Sequence, residues 1–76
     1  MENLLSRIDS NPAVMLGKPV VRGTRITVEL LLRKISGGYS FEEILEMYPH
    51  LTREDILAAV EYAASAIANE RILQAA

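Results

Sequence analysis

Two arginines three residues apart, in Arg22-Gly23-Thr24-Arg25, are the side chains whose type and spacing most directly suggest chemistry. A guanidinium is planar and permanently charged, and its fork donates two parallel hydrogen bonds, so a pair across a glycine turn suits phosphate recognition. Lys18, Arg33 and Lys34 extend the set to five candidate DNA contacts per chain. Two chains would offer up to ten, enough for a steep salt dependence if most reach phosphates. The same arginines have a structural use: Arg25 stands four residues before Glu29, and either could tie to Glu42 or Glu43. Other constellations fail. Gly17-Lys18 resembles the end of a phosphate-binding loop, but that motif needs glycine where Pro12 stands and Ser or Thr where Pro19 stands. His50 is the only imidazole and there is no cysteine, so nucleophilic and metal chemistry lack parts. Glu42, Glu43 and Glu46 are spaced for a solvated helical face and a cap. No catalytic residue, metal ligand or cofactor is expected, and an enzyme is the least favoured class.

Charge is distributed unevenly along the chain. The net value of −2 conceals blocks of −1 over residues 1–17, +4 over 18–34 and −5 over 35–76. A surface built from the last block repels polyanions, so any nucleic acid must meet the first half.

Three helix starts are read from one recurring device, a Ser or Thr cap joined to a hydrophobic staple. Thr27 caps a helix with Ile26 facing Leu31, Ser40 caps one with Tyr39 facing Ile44, and Thr52 caps one with Leu51 facing Ile56. Glu43 completes a capping box at the second, and Asp55 makes a shorter version of one at the third. The spacing predicts helices over 28–36, 41–47 and 53 to about Ile72. The first ends at Gly37-Gly38, where glycine can turn left-handed, and the second ends before Pro49. Along the third helix Ile56, Val60, Ala63 or Ala64 and Ile67 recur at three to four residues, one apolar face on an Ala-rich, slim helix. Ile56, Val60, Ala64, Ile67, Ile72 and Leu73 are its candidate dimer and partner contacts. Helices two and three, joined by Tyr48-Pro49-His50-Leu51, look like a helix-turn-helix. The start that would read base edges is Arg53-Glu54-Asp55, two acids beside one base, which suits packing or partner contact better than base readout.

The first 26 residues, broken by Pro12, Gly17, Pro19 and Gly23, predict a β-arm. Val20-Val21-Arg22 and Thr24-Arg25-Ile26 could each extend around Gly23, and residues 4–8 form a short strand or one helical turn. Such an arm must pack on the helices or on a second copy. The chain reads as one domain of 76 residues, arm over 1–26 and helical part over 27–76, with half its residues apolar. At this size only about 60% of the unfolded surface can be buried, which favours a homodimer. No uncharged run is longer than those at 10–17 and 62–69, so no membrane span is expected. The first residues lack a secretory pattern, which points to the cytoplasm.

Gly17-Lys18-Pro19-Val20-Val21-Arg22-Gly23-Thr24-Arg25-Ile26-Thr27-Val28, then Gly38-Tyr39-Ser40-Phe41-Glu42-Glu43-Ile44-Leu45-Glu46, then Tyr48-Pro49-His50-Leu51-Thr52-Arg53-Glu54-Asp55-Ile56, together resemble the domain of unknown function 433 family. These are small bacterial and archaeal proteins regarded as VapB-like antitoxins. Gly17, Lys18, Pro19, Arg22, Gly23, Thr24, Arg25 and Ile26 match the family's signature, and Tyr48, Pro49, Leu51 and Thr52 its second block. Thr27 stands where the family often has Pro, and either residue suits a helix start. The resemblance implies a mainly α, homeodomain-like three-helix fold with a short N-terminal β-arm, commonly dimeric. It also implies an antitoxin of a type II toxin-antitoxin pair that blocks a PIN-like ribonuclease and binds its own operator DNA. A stand-alone transcriptional regulator and a structural dimerisation module are the alternatives.

Overall fold

The computed structural model describes residues 3–69 of the chain. A 3-10 turn over Leu4–Arg7 leads into strand β1 (Ile8–Asp9), a loop leads to β2 (Val20–Val21), and three helices follow: α1 (Val28–Ser36), α2 (Phe41–Met47) and α3 (Arg53–Ala68). The two strands pair antiparallel, Ile8 opposite Val21 and Asp9 opposite Val20. Residues 4–8, for which the sequence allows a strand or a turn, are therefore a turn that becomes a strand at Ile8.

All three expected caps form. The Thr27 hydroxyl accepts from the Leu30 N–H at 3.0 Å. Ser40 and Glu43 make a reciprocal box, as do Thr52 and Asp55, whose carboxylate accepts the Thr52 N–H at 2.9 Å. Each satisfies backbone donors that a helix start leaves without partners. At the end of α1, Gly38 takes φ +97°, which lets the Tyr39 N–H reach back to the Lys34 carbonyl and the Gly38 N–H to the Ile35 carbonyl. This is the glycine-terminated helix end that the Gly37-Gly38 pair announces.

Leu31, Ile44 and Ile56, one from each helix, are fully buried and meet Val21, Ile26, Val28, Leu51 and Ala59 in one aliphatic core. Ile8 packs on its edge. The arm thus closes on its own helices: besides the strand pairing, the Arg22 N–H bonds the Arg7 carbonyl at 2.7 Å, and Arg7 Nη1 bonds Asp55 Oδ1 at the start of α3 at 2.9 Å.

Three expectations are corrected. Thr24-Arg25-Ile26 is a turn, not a strand, because the Thr24 hydroxyl donates to the Val21 carbonyl and accepts the Ile26 N–H, taking groups a ladder would use. Only an isolated bridge, Val20 opposite Thr27, continues there. Tyr39, expected to staple onto Ile44, stays exposed, with the Lys34 ammonium 5.2 Å from its ring centre. The apolar face of α3 is also rotated. Asp55, Ile56, Ala58 and Ala59 are its buried residues, whereas Val60 (40% exposed), Ala64 and Ile67 (59%) face outward. Small alanines let the arm and α1 come close, so the chain buries the Ala58 side and leaves the bulkier side open. The expected extension of α3 to Ile72, and the contacts assigned to Ile72 and Leu73, lie outside the described residues.

Candidate functional site

The cationic block is held by three short-range devices. Gly23, at φ +79°, turns the chain directly after β2, placing Arg22 and Arg25 on either side of the turn. The Thr27 cap then starts α1, and one helical turn separates Glu29 from Arg33. Pro19 accepts the Val28 N–H at 2.9 Å, which anchors the preceding segment, and Lys18 with it, against the first turn of α1.

Most of these cations already have protein partners. Arg22 grips Asp9 with Nε and Nη2, at 2.9 to 3.2 Å. That hydrogen bond first, and the carboxylate charge second, raise the guanidinium pKa above its ordinary value. Glu29 sits between two bases, with Arg33 Nε 3.1 Å from Oε2 and Lys18 Nζ 3.6 Å from Oε1. Lys34 lies over Tyr39. Arg25 is exposed and, among the described residues, is the member of the five with neither an ion pair nor a ring contact. It lines a cleft of about 370 Å³ of mixed character, with Asp9, Asn11 and Thr24 beside Val14 and Val20. The expected ties from Arg25 to Glu29, or from either arginine to Glu42 or Glu43, are replaced by these pairings.

The Glu29 carboxyl is held below its ordinary value of 4.5, first by the Arg33 hydrogen bond, then by the charges of Lys18 and Arg33. Because the folded state favours the ionised form, this contribution to stability is full above the unfolded-state value and fades as pH falls through the lower folded-state value. Glu29→Gln is therefore expected to melt lower than the parent at neutral pH and to lose less melting temperature between about pH 5 and about pH 3. Parallel profiles in thermal melts would contradict this.

The remaining candidates are dispersed. His50 is exposed in the turn before α3, and Glu42 and Glu46 are exposed on α2 while Glu43 caps it. Arg53, the one base at the start of α3, lies 4.9 Å from the centre of the Phe41 ring. No cluster of His, Cys, Asp or Glu able to hold a metal occurs among the described residues, and no helix there is long and apolar enough to cross a membrane. Sequence reasoning missed Arg7 and Asp9 as the partners of Asp55 and Arg22. Nothing local signals a pair separated by 48 residues.

Beside the Glu29 ion pairs, an apolar groove of about 450 Å³ runs between α1 and α3, walled by Pro19, Val28, Leu32, Tyr62, Ala63 and Ala66. Glu29 and Arg33 stand on its rim. The described chain therefore offers a polar turn carrying Arg25, an apolar groove, and an outward stripe on α3.

Comparison with known proteins places this geometry. The sequence profile of the family described as "Protein of unknown function (DUF433)" matches residues 8–63. An uncharacterized protein of Sinorhizobium fredii, y4eO, is 41% identical over 56 residues, covering 74% of this chain and 25% of that protein. The crystal structure of a DUF433 member protein from Anabaena variabilis superposes with a TM-score of 0.75 at 37% identity, covering 78% of this chain and 58% of that one. The chain thus spans about a quarter of the curated relative and little more than half of the solved one.

Proposed function

The chain belongs to the DUF433 family, and from that premise we propose that it is the antitoxin of a type II toxin-antitoxin pair, a homodimer that neutralises a PIN-like ribonuclease by direct binding in the cytoplasm. The observation that carries this reading is the outer face of α3. Val60, Ala64 and Ile67 form an exposed apolar stripe, with Glu54 and Glu61 exposed beside it. A nuclease must attract RNA, so its cleft carries a basic rim, and an apolar stripe edged with carboxylates complements such a surface. Five of the ten acids of the chain lie on α2 and at the start of α3, against Arg53 alone, which adds to that field. In this reading α2, the Tyr48-Pro49-His50-Leu51 turn and α3 are a homeodomain-like helix-turn-helix used for contact, not for reading bases.

Operator binding completes the proposal and falls chiefly to Arg25. Lys18, Arg22 and Arg33 are paired with carboxylates and Lys34 lies over Tyr39, whereas Arg25 has no such partner to leave before it meets a phosphate. Arg25→Ala is expected to reduce the salt slope of DNA binding by about 1, the signature of one lost phosphate contact. Arg22→Ala is expected instead to lower the melting temperature, because it releases Asp9. Equal slopes in parent and Arg25→Ala would remove Arg25 from the interface.

The internal pairing of Arg22, Lys18 and Arg33 favours a second reading, a dimerisation module whose cations are structural ties and which binds no nucleic acid. Co-expression with the product of the neighbouring gene, followed by co-purification, tests the first reading. A stoichiometric complex supports it, and its absence removes the antitoxin assignment.

A further inference from the structure

Two depressions meet along one edge of α3. The apolar groove toward α1 and a smaller hollow of about 290 Å³ toward the arm share Tyr62 and Ala66 as a common wall. Leu5 and Ile8 line the hollow on the arm's side, and Val28 and Leu32 line the groove on the side of α1. A continuous, mainly apolar trough therefore crosses the C-terminal half of α3. Successive residues advance about 100° around a helix, which puts Tyr62 and Ala66 on the side of α3 opposite to the stripe Val60, Ala64, Ile67.

The described residues end in this trough. Asn69, which terminates α3, itself lines the hollow. Its Nδ2 donates to the Ser65 carbonyl at 2.9 Å and its N–H to the same oxygen at 3.2 Å, so the last helical turn is closed. Seven more residues follow, Glu70 to Ala76, and two of them, Ile72 and Leu73, are large and aliphatic. Their reach is sufficient. A helix rises about 1.5 Å per residue, so Tyr62 lies about 10 Å back from Asn69 along the axis. An extended chain covers about 3.3 Å per residue, which brings residues 72 and 73 back to the level of Tyr62. Neighbouring side chains of an extended segment point to opposite sides, and the trough offers one recess on each side of Tyr62.

We infer that residues 70–76 turn back at Asn69 and occupy this trough, with Ile72 and Leu73 each entering one of its two recesses. Attachment favours this occupant over a separate molecule, because a short tether holds the segment at an effective concentration on the order of millimolar. Glu70 and Arg71 are its only charges, one of each sign, and the groove's rim likewise carries Glu29 and Arg33. The contact is therefore apolar, and salt changes it little. It gives Ile72 and Leu73 a place on their own chain, leaves the outward stripe of α3 open, and depends on neither a toxin, DNA nor a second copy.

The test is paramagnetic broadening in the full chain. The sequence has no cysteine, so Gln74→Cys carries a nitroxide at a single position. The amide signals of Leu5 and Leu32, on the two far walls of the trough, are expected to lose most of their intensity, while those of Val60 and Ala64 stay sharp. Ile72→Asp combined with Leu73→Asp should abolish this asymmetry and leave the helical content unchanged. An isotope-labelled chain mixed with separate nitroxide-bearing chains should show no loss at Leu5 and Leu32. Equal broadening on both sides of α3, or an asymmetry that survives the double substitution, overturns the inference. Broadening passed between chains in the mixture also overturns it, since a second copy would then be the occupant.

Discussion

Asp55→Ala is expected to lower the melting temperature by roughly 12 to 24 °C, the equivalent of about 3 kcal/mol in a domain of this size. Asp55 does two things with one carboxylate. Oδ2 accepts the Thr52 N–H and so completes the capping box of α3, which by itself contributes about 1 kcal/mol. Oδ1 takes the Arg7 guanidinium at 2.9 Å, with the two side chains only 11% and 31% exposed. Removing one member of such a poorly hydrated pair costs more than the pair contributes, because the remaining charge keeps its desolvation cost. Asp55→Asn retains an acceptor for the cap and loses the charge, so it should fall between the parent and Asp55→Ala. Hydrogen exchange should show where the damage lies. The amides that hold the arm, those of residues 4–9 and Arg22, are expected to lose protection before the middle of α3 does. A loss below about 1 kcal/mol, or uniform loss of protection, would show that the arm is not fastened at this point.

Ile56→Ala should be at least as damaging, at about 3 to 4 kcal/mol, because Ile56 is fully buried and leaves a cavity among side chains from all three helices. A chain of this length holds a reserve on the order of 4 to 11 kcal/mol, so the variant should lose from about a third to nearly all of it. Val60→Ala, one turn further along the same helix, is the comparison. Val60 is 40% exposed, and its truncation should stay within about 0.5 kcal/mol. Denaturant melts of the two variants measure the rotational phase of α3. Equal losses would mean that the stripe Ile56, Val60, Ala64, Ile67 is the buried face after all.

That phase is where the sequence is least informative. Alanine is apolar and small, so Ala58, Ala59 and Ala63 leave two faces of α3 almost equally eligible for burial. Only the approach of the arm and α1 selects one. The helix starts are legible for the opposite reason. Thr27, Ser40 and Thr52 act on backbone groups three residues away, so the sequence carries both partners of each bond. Gly37-Gly38 and Pro49 are equally local. The arm is legible as irregular, but its fastening is not, since Arg7 and Asp55 are 48 residues apart and Arg22 and Asp9 are 13 apart. The candidate site shows the same division. The cationic block is plain in the charge pattern, whereas its depletion by Asp9, Glu29 and Tyr39, which leaves Arg25 as the open member, depends on tertiary neighbours. The left-handed turn at Met15 and Leu16, with φ of +50° and +58°, has no sequence signal, because neither residue favours that conformation.

The central claim is that this chain acts by contact, covering a ribonuclease made beside it. The most direct measurement is RNA cleavage by the purified product of the neighbouring gene, titrated with this protein. The account predicts that cleavage ends at a fixed molar ratio, and that placing acids at Val60 and Ile67 abolishes the inhibition while the fold survives. Cleavage that continues undiminished in large excess of this protein would contradict it.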